Sequence, residues 1–198
     1  MEQPVITNQY IQDLLKPETN LERLLLQHPA FREGLLWGEP RYGHPEGKVL
    51  YHVPEIFANI NRLDPLSKND RQRLRLIALL HDSFKYVEDK SYPRDWSKHH
   101  GILARQFAED FISDKTILDI IELHDEAYYC WRLEVLDDEP EQAAERLRWL
   151  LDRVRPCLQL YYNFFKCDTA TGDKTQAPVK WVENQLTIRG FKDKLFKK

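Results

Sequence analysis

Apolar positions along this chain recur at helical spacing almost from end to end, and no stretch alternates in the way a half-buried strand would. Two short helices are expected over 8–16 and 19–27, separated at Pro17, with Leu21, Leu24 and Leu25 as the apolar stripe of the second and Thr19 or Asn20 as its cap. A third is expected over 30–37. It follows His28-Pro29, where the residue before proline avoids the α region. The segment WGEPRYGHPEG (37–47), rich in glycine and proline, reads as a loop with sharp turns.

From 49 to 63, Val49, Val53, Ile56, Phe57 and Ile60 fall on one helical face with His52 at its edge. Pro54 is tolerable there if the helix starts near His52, and otherwise implies a kink. Ser67 caps the next expected helix, 68–86, which buries Leu76, Ile77, Leu79 and Leu80 and delivers His81 and Asp82 near its end. Residues 87–98 read as a polar loop carrying Lys90, Arg94 and Lys98. Asp95 or Ser97 then caps a helix over about 98–112, on which His100, Leu103, Ala104, Phe107 and Phe111 share a face. A helix over 115–130 places His124 with Ile117, Ile120 and Ile121 in the same way. An acidic turn around Pro140 precedes an amphipathic helix over 141–154. A further helix opens at Pro156 and sets Asp168 on an aromatic face with Tyr161, Phe164 and Phe165. The loop TATGDK, a helix over 179–186 and a basic tail from Arg189 complete the chain.

The sequence has 198 residues, 42% hydrophobic and 31% charged, enough for a sizeable core in one globular unit. A formal charge of −3 supplies no general attraction for nucleic acid, so any phosphate contact must be local. Three cysteines without CxxC spacing suggest neither a disulfide framework nor a zinc ribbon, and point to a reducing cytoplasm. The first residues lack the features of a secretory signal, and no apolar run is long enough to span a membrane.

The ionisable residues expected to face inward are His52, His81, Asp82, His100, His124 and Asp168. Imidazole and carboxylate together suit iron, manganese, nickel, cobalt or zinc. An unpaired charge on an apolar face is costly, so Asp168 in particular needs a partner. Six such donors are enough for two adjacent metal positions.

These residues occur in HPEGKVLYH (44–52), LLHDSFK (79–85), HHGILARQFAEDF (99–111), the His-Asp pair at 124–125, and CDTATGDK (167–174). In order and spacing the series resembles the HD superfamily of metal-dependent phosphohydrolases. It is most similar to the HD domain attached to bacterial CCA-adding tRNA nucleotidyltransferases. The chain departs from that pattern at Ser83-Phe84, where a glycine is usual, and at Lys174, where tRNA-type domains carry an arginine that can bind bidentately.

The resemblance implies an all-α HD-domain helical bundle over 41–175, with helices of 1–40 packed on it and a helix and basic tail at 176–198. It implies two divalent ions, magnesium included, with Asp82 bridging them. His52, His81 and Asp168 would complete one sphere, and His100 and His124 the other. The activity implied is hydrolysis of a nucleotide or phosphodiester by a metal-activated hydroxide, of phosphatase, 2′-nucleotidase or 2′,3′-cyclic phosphodiesterase type. Lys85 would assist the reaction, and Arg94, Lys98, Arg105 and Lys174 are candidate phosphate contacts. His44 and His99 are expected to support the ligands from behind. The alternatives are a di-iron oxygenase built on the same donors, and a module that binds a nucleotide or RNA without turnover.

Overall fold

The computed structural model describes residues 6–191, and among these it is helical with no strand; an isolated bridge pairs Arg41 with His44. Three short helices come first, α1 (Asn8–Leu15), α2 (Asn20–Leu25) and α3 (Pro29–Leu36). Thr7 and Thr19 cap the first two through their side-chain oxygens. The expected stripe on α2 is corrected: Leu24 is half exposed, whereas Glu22 is fully buried. The reason is Arg75, itself buried, whose guanidinium needs that carboxylate.

Helices α4 (Val49–Ile60) and α5 (Lys68–Leu80) follow the loop 37–47 and pack on each other. Pro54 lies inside α4, not in its first turn, and leaves the Leu50 carbonyl without the usual N–H donor. Helix α5, capped by Ser67, stops at Leu80, so His81 and Asp82 stand in a turn instead of on the expected longer helix. Side chains end it: His81 Nδ1 turns back to the Ala78 carbonyl (3.0 Å), and the Ser83 hydroxyl donates to the Leu80 carbonyl (2.8 Å). Gly34 on α3 seats this turn. A Cβ there would stand 1.6 Å from the Ser83 carbonyl oxygen, so no other residue allows the approach.

Next come α6 (His100–Ala108), α7 (Lys115–Leu123), α8 (Glu126–Val135) and α9 (Pro140–Val154). His99, and not Asp95 or Ser97, caps α6, its Nδ1 accepting the Gly101 N–H at 3.1 Å. The single helix expected over 115–130 is broken at His124-Asp125. Tyr161 accounts for the break: its hydroxyl donates to the Leu123 carbonyl (3.0 Å) and accepts the Ala127 N–H (3.2 Å), serving both new ends. That tyrosine comes from α10 (Leu158–Thr169), which lies on α4 and α5, and α11 (Ala177–Ile188) covers α8. Most of the basic tail, 192–198, lies outside the described residues. The bundle thus surrounds α5 with α4, α7 and α10, and the ends of these four helices meet at one place.

Candidate metal centre

All six donors predicted from the sequence come together where those helix ends meet. His52 stands on α4, His81 and Asp82 in the turn after α5, His100 at the start of α6, His124 just after α7, and Asp168 near the end of α10. Two trios form, His52–His81–Asp168 and Asp82–His100–His124, and within each the ligating atoms lie within 4.8 Å of one another. The trios adjoin, with His81 and His124 ring centroids 5.0 Å apart. Gly101 lets α6 approach α7 closely within the second trio, since a Cβ at that position would stand 2.6 Å from the Glu122 carbonyl of α7.

The hydrogen bonds fix which ring nitrogens are available. A backbone carbonyl only accepts, so His81 Nδ1 facing Ala78 O and His124 Nδ1 facing Ile121 O (2.8 Å) both carry protons. Their Nε2 atoms then point inward. His100 Nε2 and His124 Nε2 face each other at 3.2 Å, and each is 3.4 Å from Asp82 Oδ1. His52 Nε2 is 2.9 Å from Asp168 Oδ1. His81 Nε2 and Asp82 Oδ1 are buried with no hydrogen-bond partner at all. Ring nitrogens and carboxylate oxygens that converge in this way, with two buried atoms left unpartnered, favour a cation, so the residues present fit divalent metal ions.

The charges agree. Burial raises the Asp82 and Asp168 carboxyls, but His81 and Lys85 around the first, and Lys174 and His52 around the second, outweigh it and hold both well below the usual range. Burial drives His81 down to about 3, so its ring is neutral. At His124 burial acts in the same direction, yet Asp125 and Asp82 outweigh it and bring the group up to about 9, so without metal this ring holds a second proton on Nε2 that a bound cation would displace.

Three further carboxylates at the centre escaped the sequence reading. Glu46 Oε1 lies 3.1 Å from His52 Nδ1, and Glu88 Oε1 lies 3.3 Å from His100 Nδ1. Each is a buried carboxylate behind a ligand histidine, the arrangement that sets ring orientation and raises basicity. Asp125 is the third, with Oδ2 3.3 Å from His100 Nε2, held ionised because His124, His100 and Lys85 outweigh burial and pull it down to about 2. Glu46 and Asp125 stood inside the quoted motifs, but Glu88 carried no signal. His44 reaches Glu46 (3.0 Å), and His99 reaches the Tyr129 hydroxyl (3.1 Å), so both lie behind the ligands. The groups His44–Glu46–His52 and Glu88–His99–His100 also have metal-holding spacing. The second has little capacity left, because His99 Nδ1 is occupied by Gly101.

Of the expected cations, Lys85 bonds Asp82 Oδ2 at 2.6 Å and Lys174 bonds Asp168 Oδ1 at 3.0 Å. The structure does not bring the other three to the centre. Arg94 is paired with Glu88, Lys98 is 3.3 Å from Asp89, and Arg105 is held by Asp119 and Glu122 at 2.6 Å each. Phe84, in place of the usual glycine, packs on Phe107 with centroids 5.0 Å apart and does not line the cavity above the donors. That cavity, of about 330 Å³, is reached past Asp82, Lys85, Asp125 and Lys174. A larger groove of about 630 Å³ beside Trp96 and Trp149 adjoins the centre only at His99.

A bundle of this form with a four-histidine, two-aspartate centre defines a class, and the family model of the HD domain matches residues 48–148, just over half of the chain. The chain belongs to the HD domain family. No curated protein and no solved structure matches it. Asp168 lies beyond the matched segment, although its side chain completes the first trio. Among the described residues no helix is long and apolar enough to cross a membrane.

Proposed function

We propose that the chain is a metal-dependent phosphohydrolase that cleaves a nucleotide or a phosphodiester, of the kind found in the HD domains of CCA-adding tRNA nucleotidyltransferases. The observation that carries this reading is the pair of adjoining donor trios with inward-facing Nε2 atoms beneath an open cavity. Bound there, two divalent ions supply Lewis acidity and water activation near neutral pH.

The side chains divide the remaining work. His52, His81 and Asp168 hold one ion position, His100 and His124 the other, and Asp82 stands between them with one oxygen toward each side. Lys85 and Lys174 fix the two aspartates and offset negative charge as it builds on a phosphoryl group. Asp125 Oδ2, ionised and on the cavity wall, accepts a hydrogen bond from the attacking water and orients it. In the overall step water adds to phosphorus, the P–O ester bond breaks, and the leaving oxygen departs as an alcohol.

The test is to purify the protein without a metal-chelating tag, measure bound metals by elemental analysis, and assay phosphate release from nucleotides and ring opening of 2′,3′-cyclic phosphates to monophosphates. About two equivalents of metal are expected, with turnover abolished in Asp82→Ala. Two irons with oxygen uptake and no phosphate release would replace the reading by the oxygenase. A metal-free protein that binds a nucleotide or RNA without turnover would replace it by the binding module.

A further inference from the structure

Above the donors the cavity is bordered by residues that no motif marked. Arg41 and Tyr42 come from the loop before α4, and Tyr128 from the first turn of α8. Tyr42 is 81% exposed, yet its backbone is not loose. Arg41 and His44 exchange two backbone hydrogen bonds of 3.0 and 2.8 Å, and the Gly43 N–H donates to Asp173 Oδ1 at 2.6 Å. A hydrogen-bonded turn therefore presents a large ring mostly to water. Tyr128, 38% exposed, is braced from behind by Trp131 (centroids 5.5 Å) and Tyr129 (6.0 Å).

Charge on this rim is equally specific. The two lysines that line the cavity, Lys85 and Lys174, are bonded to the carboxylates of the centre. Arg41 has no carboxylate within ion-pair distance among the described residues, and its guanidinium lies 5.9 Å from the Trp37 ring centroid. It is the cation on this rim still open to an anionic ligand. A cavity of about 330 Å³ is at the small end for ligand sites and suits one nucleotide in place of a longer chain.

We propose that Tyr42, Tyr128 and Arg41 form a selective rim that recognises phosphoesters carrying a single planar ring system, the aromatic rings stacking on it while Arg41 takes an anionic oxygen. The proposal rests on the hydrolase reading and adds the discriminating element: phosphoesters of simple sugars or glycerol would meet the same donors but gain nothing from the tyrosines. Stacking on an aromatic side chain tolerates any base, since every base has a π-face.

The test uses the full metal-loaded chain and the variants Tyr42→Ala, Tyr42→Trp, Tyr128→Ala and Arg41→Gln. The substrates are adenosine 2′-, 3′- and 5′-monophosphate, ribose 5-phosphate and glycerol phosphate. Tyr42→Ala is expected to raise KM for the adenosine phosphates about tenfold with kcat nearly unchanged. The shift for ribose 5-phosphate is expected to be much smaller, and Tyr42→Trp to restore the parent KM. Tyr128→Ala should follow Tyr42→Ala more weakly. Arg41→Gln should raise KM for all of them. Unchanged KM in these variants, or equal kcat/KM for adenosine and ribose phosphates in the parent, overturns the rim while leaving the hydrolase standing. So does tighter competition by a six-nucleotide oligomer than by a mononucleotide. If the parent neither releases phosphate from these substrates nor opens 2′,3′-cyclic phosphates, the hydrolase reading falls alone. Equilibrium dialysis with adenosine 3′-monophosphate then decides: binding weakened about tenfold in Tyr42→Ala supports the rim, and equal or undetectable binding overturns it.

Discussion

Two clusters in this protein take charge out of water, and they do so in opposite ways. Under α1 and α2, the Arg75 guanidinium is matched atom by atom: Nε to Glu22 Oε1 at 2.9 Å, Nη2 to Glu22 Oε2 at 3.2 Å and to the Lys16 carbonyl at 3.2 Å, with the Phe57 ring 3.9 Å from its plane centre. Glu22 also accepts the Glu18 N–H. Nothing is left for a ligand to do. At the helix ends around His81, four imidazoles and Asp82 are buried, with Asp168 half-buried beside them, their polar atoms converge on one another, and His81 Nε2 and Asp82 Oδ1 are unpartnered. Burial with every partner present is architecture, whereas burial with donors missing marks a place where a cation belongs.

The largest effect should come from breaking the matched cluster. Glu22→Ala leaves the Arg75 charge buried and is expected to cost about 3–5 kcal/mol in urea unfolding, while activity per folded molecule is retained. The unmatched cluster should behave in reverse, being stabilised by what is added. Metal at about a hundred times its Kd should raise the stability of chelator-treated protein by roughly 2.7 kcal/mol, read as an increase in Tm. Asp82→Ala should show little of that increase. Affinity should fall as pH drops, because the ligating nitrogens must be unprotonated.

A finer division concerns Glu46 and Glu88. If they orient His52 and His100, then Glu46→Gln and Glu88→Gln should weaken metal binding about 10–100-fold in competition titrations with a coloured chelator, with smaller losses in thermal stability. Wild-type affinity in both would reduce these carboxylates to packing. The smallest effect is expected at the thiols. Burial pushes Cys130 and Cys167 up to about 12 and Cys157 up to about 11, so none offers a thiolate at pH 8. Iodoacetamide should label the native protein slowly and the urea-unfolded protein readily, and Cys167→Ala should leave metal content unchanged.

The donors were legible because each sits where a helical stripe would otherwise be apolar, and His100 with Ala104 or His124 with Ile121 shows the pattern plainly. Helix ends were less legible. The stops at Leu80 and Leu123 depend on Ser83 and on Tyr161, the latter 38 residues away from the carbonyl it holds, and no local propensity encodes such a contact. Loop cations were the least legible. A run such as 87–98 announces positive charge but not its destination, and Arg94 and Lys98 turn to Glu88 and Asp89 in the same segment. Glu88 illustrates the same limit from the acidic side: a carboxylate in an aperiodic stretch reads as solvated surface until its neighbours are known. Arg41 and Tyr42 stand in a segment whose glycines and prolines announce only a turning loop, and their place on the rim follows from pairings such as Gly43 with Asp173, 130 positions apart.

The first trio has one consequence for the chain as a polymer. His52 and Asp168 are separated by 116 positions, and a common ion would join them as a covalent bridge joins two cysteines. Most of the chain would then be a closed ring, with the entropy of its unfolded state reduced by an amount that grows with the logarithm of ring size. Coordination at this centre would serve as a reversible cross-link, fastened when metal is plentiful and opened when it is scarce.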